Sequence, residues 1–350
     1  MVKRLAFAVP GDLATPTGGY AYDRRMIAEL ELLGWRIDLL NLGEGFPWPS
    51  DATRQAAQAQ LLAMPAGGPI VVDGLALGVL PEAASQLGER NPLIALVHHP
   101  LALEWGLSET QAETLRRSER AALAAVHGVV VTSTATARLV ASDYGVPPER
   151  ITVAMPGSDP VRVTQGSKDG VVRLLAVGSV VPRKGYDVLI AALATLTDLP
   201  WRLTVAGDRT RDLDTVAQLD ADIARHALGI RITMLGAVAP DRLADLYTEA
   251  DAFVLASRFE GYGMAYAEAV AHGLPVIGSN AGAIPDTVPS DASLLTAPGD
   301  IPALAKALRS LIGNADLRRR LAGAARAAAP RLPNWQQSAK TFARALEMLA

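Results

Sequence analysis

Ala252-Phe-Val-Leu-Ala-Ser-Arg-Phe-Glu-Gly-Tyr-Gly-Met-Ala-Tyr-Ala-Glu268 contains the unit from which the chain is assembled. The residues through Ser257 form an apolar run and read as a buried strand. From Gly263 the sequence reads as a helix running to about Ala271. Glu260 then falls in the strand-to-helix turn, and Glu268 lies on the helix about two turns on. Gly261 and Gly263 let backbone N–H groups come close to a ligand, and a helix N-terminus favours anions. A turn that holds phosphate, flanked by carboxylates that accept hydroxyl hydrogens, suits a sugar nucleotide.

The same alternation runs outward in both directions. Apolar runs at Leu5–Val9, Arg36–Leu40, Ile70–Val72, Leu93–Val97, Val129–Thr132 and Ile151–Val153 read as strands in the first half. Arg173–Val177, Arg202–Ala206, Ile230–Leu235, Ala252–Leu255, Pro275–Gly278 and Ser293–Leu295 repeat the theme. Helical stretches such as Tyr22–Leu33, Thr53–Leu62 and Ser108–Ala125 lie between them. Val/Ile/Leu runs without polar alternation mark parallel strands buried on both faces. Strand alternating with helix argues for doubly wound α/β domains. Pro156–Gly170 lacks apolar periodicity and marks a boundary between a domain at 1–163 and another at 171–330. Pro330-Arg-Leu-Pro-Asn-Trp335 breaks a helix, and a fresh amphipathic helix at 334–350 is expected to lie across the domain junction.

The 350 residues are half hydrophobic and 20% charged, with a net charge of −3, so a well-cored protein with no pull toward nucleic acid is expected. Residues 1–160 carry 12 Lys/Arg against 17 Asp/Glu, and the remainder 21 against 19. An acidic first half is a poor anchor for an anionic membrane, so peripheral membrane contact is not favoured. Arg116, Arg117 and Arg120 alternate with Glu109, Glu113 and Glu119, which reads as a solvated helix face. The absence of cysteine removes disulfides, thiolate catalysis and thiolate metal sites, and fits a reducing cytoplasm. The opening Met1–Pro10 is too short for a secretory signal, and no apolar run is long enough to span a bilayer.

In open α/β sheets, ligands bind beyond the carboxyl ends of the strands. Several segments follow strands directly. Gly18 and Gly19, after the first strand, expose amides to a phosphate or form an ordinary tight loop. His98 and His99 end the Leu93–Val97 strand, where an imidazole can bind a sugar hydroxyl or move a proton. A metal at these histidines is not expected, because no matching carboxylates lie nearby in the sequence. Gly178 opens a loop to Arg183, Lys184 and Gly185, whose cations can neutralise a diphosphate as its bond breaks. Gly207 and Gly236 end two further strands and can run along a nucleotide. Asp212/Asp214 and Asp220/Asp222 imitate Asp-x-Asp metal pairs, but a solvated helix face accounts for them. Ala281–Asp286 is a ligand loop or a simple turn. No metal ligands are assigned.

With these motifs in view, the chain resembles a family-4 glycosyltransferase, a retaining enzyme of the GT-B fold. The likeness is strongest over 171–300 and rests on Gly178…Arg183-Lys184-Gly185, Glu260-Gly-Tyr-Gly263…Glu268 and Ala269-Val-Ala-His-Gly-Leu-Pro-Val276. It implies two Rossmann-like domains facing across a cleft, with the C-terminal helix crossing back to the first. It further implies that Glu268 holds the donor ribose and Glu260 contacts the donor sugar. The amides of Tyr262, Gly263 and Met264 would sit near sugar and diphosphate. Arg183 or Lys184 would stabilise the diphosphate, with Lys184 the better match. One of His98 and His99 would bind the sugar, and Gly18 and Gly19 would shape the phosphate and acceptor entrance. Ser179 stands where the family commonly has arginine, Tyr262 where it has phenylalanine, and Pro156-Gly157-Ser158 where it has Asn-Gly.

The implied reaction moves a sugar from a nucleoside-diphosphate sugar to an acceptor hydroxyl with retention, without a metal or other cofactor. A GT-B-like nucleotide-sugar epimerase and a non-catalytic nucleotide-sugar-binding subunit are the rival readings, and Ser179 speaks for the second. A dehydrogenase-like dinucleotide binder lacks its Gly-x-Gly-x-x-Gly in the first turn. Neither the donor's base and sugar nor the acceptor can be read from the residues.

Overall fold

The apolar runs become twelve strands in the computed structural model, which describes residues 3–164, 166–167 and 169–349. Met1, Val2, Gln165, Lys168 and Ala350, parts of the expected first domain, boundary segment and final helix, lie outside the described residues. The chain divides into two compact units: Met1–Gly157 with Pro333–Ala350, and Ser158–Leu332.

The first unit is one parallel sheet of β1 (Lys3–Val9), β2 (Trp35–Asn41), β3 (Ile70–Asp73), β4 (Leu93–Val97), β5 (Gly128–Val131) and β6 (Ile151–Val153). Their order across the sheet is β2-β1-β3-β4-β5-β6. Every residue of β3, β4 and β5 is buried, as unbroken apolar runs covered on both faces require. Edge strand β2 alternates instead, with Leu39 exposed. The helix Trp335–Leu349 packs on the helix Gly18–Leu32 and beside β5 and β6. Ala339, Phe342 and Leu346, at helical spacing, are fully buried beneath it. Asn334 starts it: its Oδ1 accepts from Gln337 N at 2.8 Å, and the Gln337 side chain reaches back to Asn334 N at 3.4 Å.

The second unit is a parallel sheet of β7 (Val172–Val177), β8 (Trp201–Ala206), β9 (Ile232–Gly236), β10 (Ala252–Val254), β11 (Val276–Ser279) and β12 (Ser293–Thr296), in the order β12-β11-β10-β7-β8-β9. Counted from its own first strand this is 3-2-1-4-5-6, the dinucleotide-binding order, which reverses between β7 and β10. Phe253 of β10 packs edge-on against Tyr266, ring centroids 5.0 Å apart, and fixes the Met264–Ala271 helix on the sheet.

Four local expectations change. The first helix begins at Gly18 rather than Tyr22, because Thr17 caps it by accepting from Tyr20 N. Ser158–Val163 belong to the second unit, where His272 Nδ1 donates to Arg162 O at 2.8 Å and Thr164 N to His272 O at 2.9 Å. Asp222 is buried, accepting from Gln218 and Arg225, while Asp212 caps its helix and Asp220 pairs with Arg209. Glu119 is also buried rather than solvated, accepting from Leu101 N at 2.9 Å.

Candidate functional site

The reversal of strand order in the second sheet places the loops after β7 and β10 side by side. From the first comes the short turn Pro182–Lys184, from the second Ser257–Glu260. Lys184 Nζ donates to Glu260 Oε1 at 2.6 Å, and Arg183 Nη1 donates to Glu260 Oε2 at 3.1 Å and to Phe259 O at 2.8 Å. Ser257 Oγ adds a third donor to Glu260 at 2.7 Å. Burial disfavours the Glu260 charge, but Lys184 and Arg183 outweigh it and hold the carboxyl at about 2. The result is a buried carboxylate with two cations fixed on it at the carboxyl edge of the sheet.

The two loops approach this closely only because Gly185 has no side chain. It adopts φ 66°, and a Cβ there would overlap the Ala256 carbonyl. Arg258 N donates to Arg183 O at 2.8 Å and ties the loops together. Gly178, Gly207 and Gly236 stand in a row at the ends of β7, β8 and β9. Gly207 N donates to Gly236 O, and a Cβ on Gly207 would overlap the Gly178 carbonyl. Gly178 also borders Lys184, whose Cε would lie 3.1 Å from a Cβ added there.

Gly263, at φ 90°, opens the Met264–Ala271 helix, and Tyr262 is buried just before it. Glu268 lies on that helix. Its Oε2 accepts from Tyr247 Oη at 2.8 Å, a hydroxyl that also lies 3.2 Å from Ala265 O. Burial raises the Glu268 carboxyl above its usual range. His272 stacks on Tyr247, centroids 4.9 Å apart, and supports the ring behind Glu268. Ala283 N donates to Glu260 O at 2.9 Å, which makes Ala281–Ala283 a brace for the Glu260 turn; Asp286 is exposed.

In the first unit, Gly18 and Gly19 form the first turn of their helix, and Gly19 faces His98: a Cβ there would lie 3.3 Å from His98 Cδ2. His98 Nε2 lies 3.1 Å from Asp23 Oδ1 and 3.6 Å from Asp73 Oδ2. Burial raises the Asp23 carboxyl, and the two carboxylates overcome burial to raise the His98 imidazole. His99 Nε2 is 3.3 Å from Glu104 Oε2. The absence of matching carboxylates near these histidines is therefore corrected: two are present, from β3 and from the helix after β1.

Residues 159–328 match the family described as glycosyl transferases group 1, and residues 70–162 match Glycosyltransferase Family 4. The chain belongs to the family-4 glycosyltransferases. Among relatives of this glycosyltransferase is the MMP alpha-(1->4)-mannosyltransferase of Mycolicibacterium hassiacum, 27% identical over 84% of this chain and 74% of that one. A D-inositol 3-phosphate glycosyltransferase of Rhodococcus erythropolis is 31% identical over 55% of this chain, a match spanning about half (48%) of its own length. Sucrose-phosphate synthase from Thermosynechococcus elongatus superposes with a TM-score of 0.81 at 22% identity, over 99% of both chains. Anabaena HepE in complex with UDP-glucose gives 0.78 at 20%, over 98% of this chain and 99% of that one. These likenesses show the GT-B fold. No helix among the described residues is long and apolar enough to cross a membrane.

Sequence reasoning missed Asp23 and Asp73 in this glycosyltransferase. Asp23 shares a helix stripe with Tyr22, Met26 and Leu30, all buried, and a charge on an apolar stripe was the signal. Asp73 ends a strand that is otherwise Ile-Val-Val. Tyr247 was missed too, because it lies thirteen residues before the motif that begins at Glu260.

Proposed function

We propose that this chain transfers a glycosyl group from a nucleoside-diphosphate sugar to an acceptor hydroxyl with retention of configuration. The observation that carries the reading is the Arg183–Lys184–Glu260 cluster at the strand-order reversal of the second sheet. Glu268 takes the ribose hydroxyls, and the row Gly178, Gly207, Gly236 lets the nucleotide lie against backbone. The amides of Tyr262, Gly263 and Met264 meet sugar and diphosphate, and Glu260 the sugar. Arg183 and Lys184, rather than a metal, neutralise the diphosphate as the anomeric C–O bond breaks. The departing phosphate oxygen takes the acceptor's proton while the acceptor oxygen bonds the anomeric carbon on the same face. Gly18 and Gly19 shape the acceptor side, and an imidazole of the His98–His99 turn binds the sugar. A cysteine-free chain suits the cytoplasm.

HepE binds UDP-glucose, so that donor heads the screen. UDP-, GDP- and ADP-sugars are tested for thermal stabilisation and slow hydrolysis, with Glu268→Ala as control. One nucleotide class stabilising the wild type and not the control is the expected result. Stabilisation by none, with the protein folded, overturns the reading. Stabilisation without hydrolysis or transfer to any acceptor points instead to a binding subunit, the role Ser179 favours.

A further inference from the structure

Asp23 and Asp73 have no part in the transfer just described, yet they occupy the position in the first unit that corresponds to the reversal in the second. β1 is flanked by β2 on one side and β3 on the other, so the chain's path reverses between β1 and β3. Asp73 ends β3, Asp23 rides the helix that follows β1, and His98 follows β4. Each offers one donor atom, and the three atoms lie within 4.8 Å of one another.

The separations suit a bound ion. Donors about 2.1 Å from one metal stand roughly 3.0 Å apart in octahedral and roughly 3.4 Å apart in tetrahedral coordination. The 3.1 Å separation from His98 Nε2 to Asp23 falls between those values, and the 3.6 Å separation to Asp73 lies just beyond the larger one. Asp73 is oriented from behind, because Leu75 N donates to its Oδ1 at 2.6 Å. A second observation is independent of the clustering: Asp23 is wholly buried and its Oδ2 has no hydrogen-bond partner among the described residues. A buried, unsatisfied carboxylate oxygen is costly and calls for an unseen ligand. The ion pairs of both carboxylates run to His98, a single imidazole against two potential negative charges.

We propose that Asp23, Asp73 and His98 bind one divalent ion of the zinc or manganese class. One imidazole nitrogen with two carboxylate oxygens suits these borderline ions better than Mg²⁺ or Ca²⁺, which take oxygen sets. The His98 side chain is 20% exposed, so a coordination position stays reachable from solvent. With the ion in place His98 is a ligand, and His99 is the imidazole of that turn which meets a sugar.

The test uses the full chain, freed of any affinity tag, stripped with EDTA and offered Zn²⁺, Mn²⁺ or Mg²⁺ alone. One equivalent of Zn²⁺ or Mn²⁺ retained through gel filtration is expected, with Co²⁺ giving visible ligand-field bands. Asp23→Asn and Asp73→Asn should each bind at least tenfold more weakly. The chain has five histidines, so the His98 ring signals can be followed by NMR in the wild type if the variants fail to fold. Less than a tenth of an equivalent retained, Mg²⁺ bound as tightly as Zn²⁺, or unshifted His98 signals would each overturn the site. The cluster would then be a pair of carboxyls sharing a proton beneath an imidazolium. None of these readouts depends on transferase activity.

Discussion

Lys184 Nζ donates to Glu260 Oε1 across 2.6 Å, so the amine at the carboxyl edge of β7 is fixed in place before any anion meets it. Charge placed in advance is worth more to a transition state than charge that must be recruited. Lys184→Ala is therefore expected to lower kcat by about 100-fold or more, the scale of losing one preorganised charge donor. Steady-state kinetics with the donor found by the screen checks this. Equal kcat in the variant would remove Lys184 from the reaction.

Glu260 also sets an acid limit. Its folded carboxyl sits at about 2 against an ordinary 4.5. Its contribution is present above the unfolded value and is lost as pH falls from about 4.5 toward 2. The loss should be on the order of 3 kcal/mol, from about 1.4 kcal/mol per unit. Urea unfolding at stepped pH measures it. Glu260→Gln, although less stable overall because two cations lose their partner, should show a flatter curve in that window.

Tyr247→Phe removes the hydroxyl that holds Glu268 while keeping the ring stacked on His272. A hydrogen bond to a charged group is worth about 1.5–3 kcal/mol, so the donor KM should rise about tenfold or more. kcat should change little. A variant that loses kcat and leaves KM unchanged would argue that Glu268 does not grip the donor.

Gly185→Ala tests the approach of the two loops. The new Cβ meets the Ala256 carbonyl at a residue already in the left-handed region, and the cost should exceed the roughly 1–3 kcal/mol of backbone strain alone. Gly34→Ala is the comparison: φ is 86° there too, but nothing lies within 4 Å of the added carbon. Chemical denaturation should show a small loss for Gly34→Ala and a large one for Gly185→Ala. Equal losses would mean the loops have room to part.

The central strands were legible because a parallel strand covered on both faces must be apolar along its length, and local composition records that. Boundaries slipped where one residue's partner decided the outcome. Glycine is a weak helix former, so Gly18 and Gly19 read as loop, while the Thr17 cap draws them into the first turn. Ile230 read as strand but stands exposed before β9 begins at Ile232. In the second unit, Arg183, Lys184 and Glu260 could be grouped because each directly follows a recognisable strand. In the first unit, Asp23, Asp73 and His98 are separated by 50 and 25 residues and met only after the sheet order was known. Glu119 and Asp222 looked solvated because charge patterns do not reveal which turn of a helix faces inward.

Gly157 leaves no room for a Cβ beside the backbone of Trp335, so two points far apart in sequence touch inside the first unit. On the ribosome those points are made at different times. At about 5–20 residues per second, synthesis of 158–332 takes roughly ten to thirty seconds. Throughout that interval the surface of the Gly18–Leu32 helix that Trp335–Leu349 later covers is wet. A released chain truncated after Leu332 should yield to protease in its first unit while the second resists, because the first unit stays incomplete until the Trp335–Leu349 helix is made.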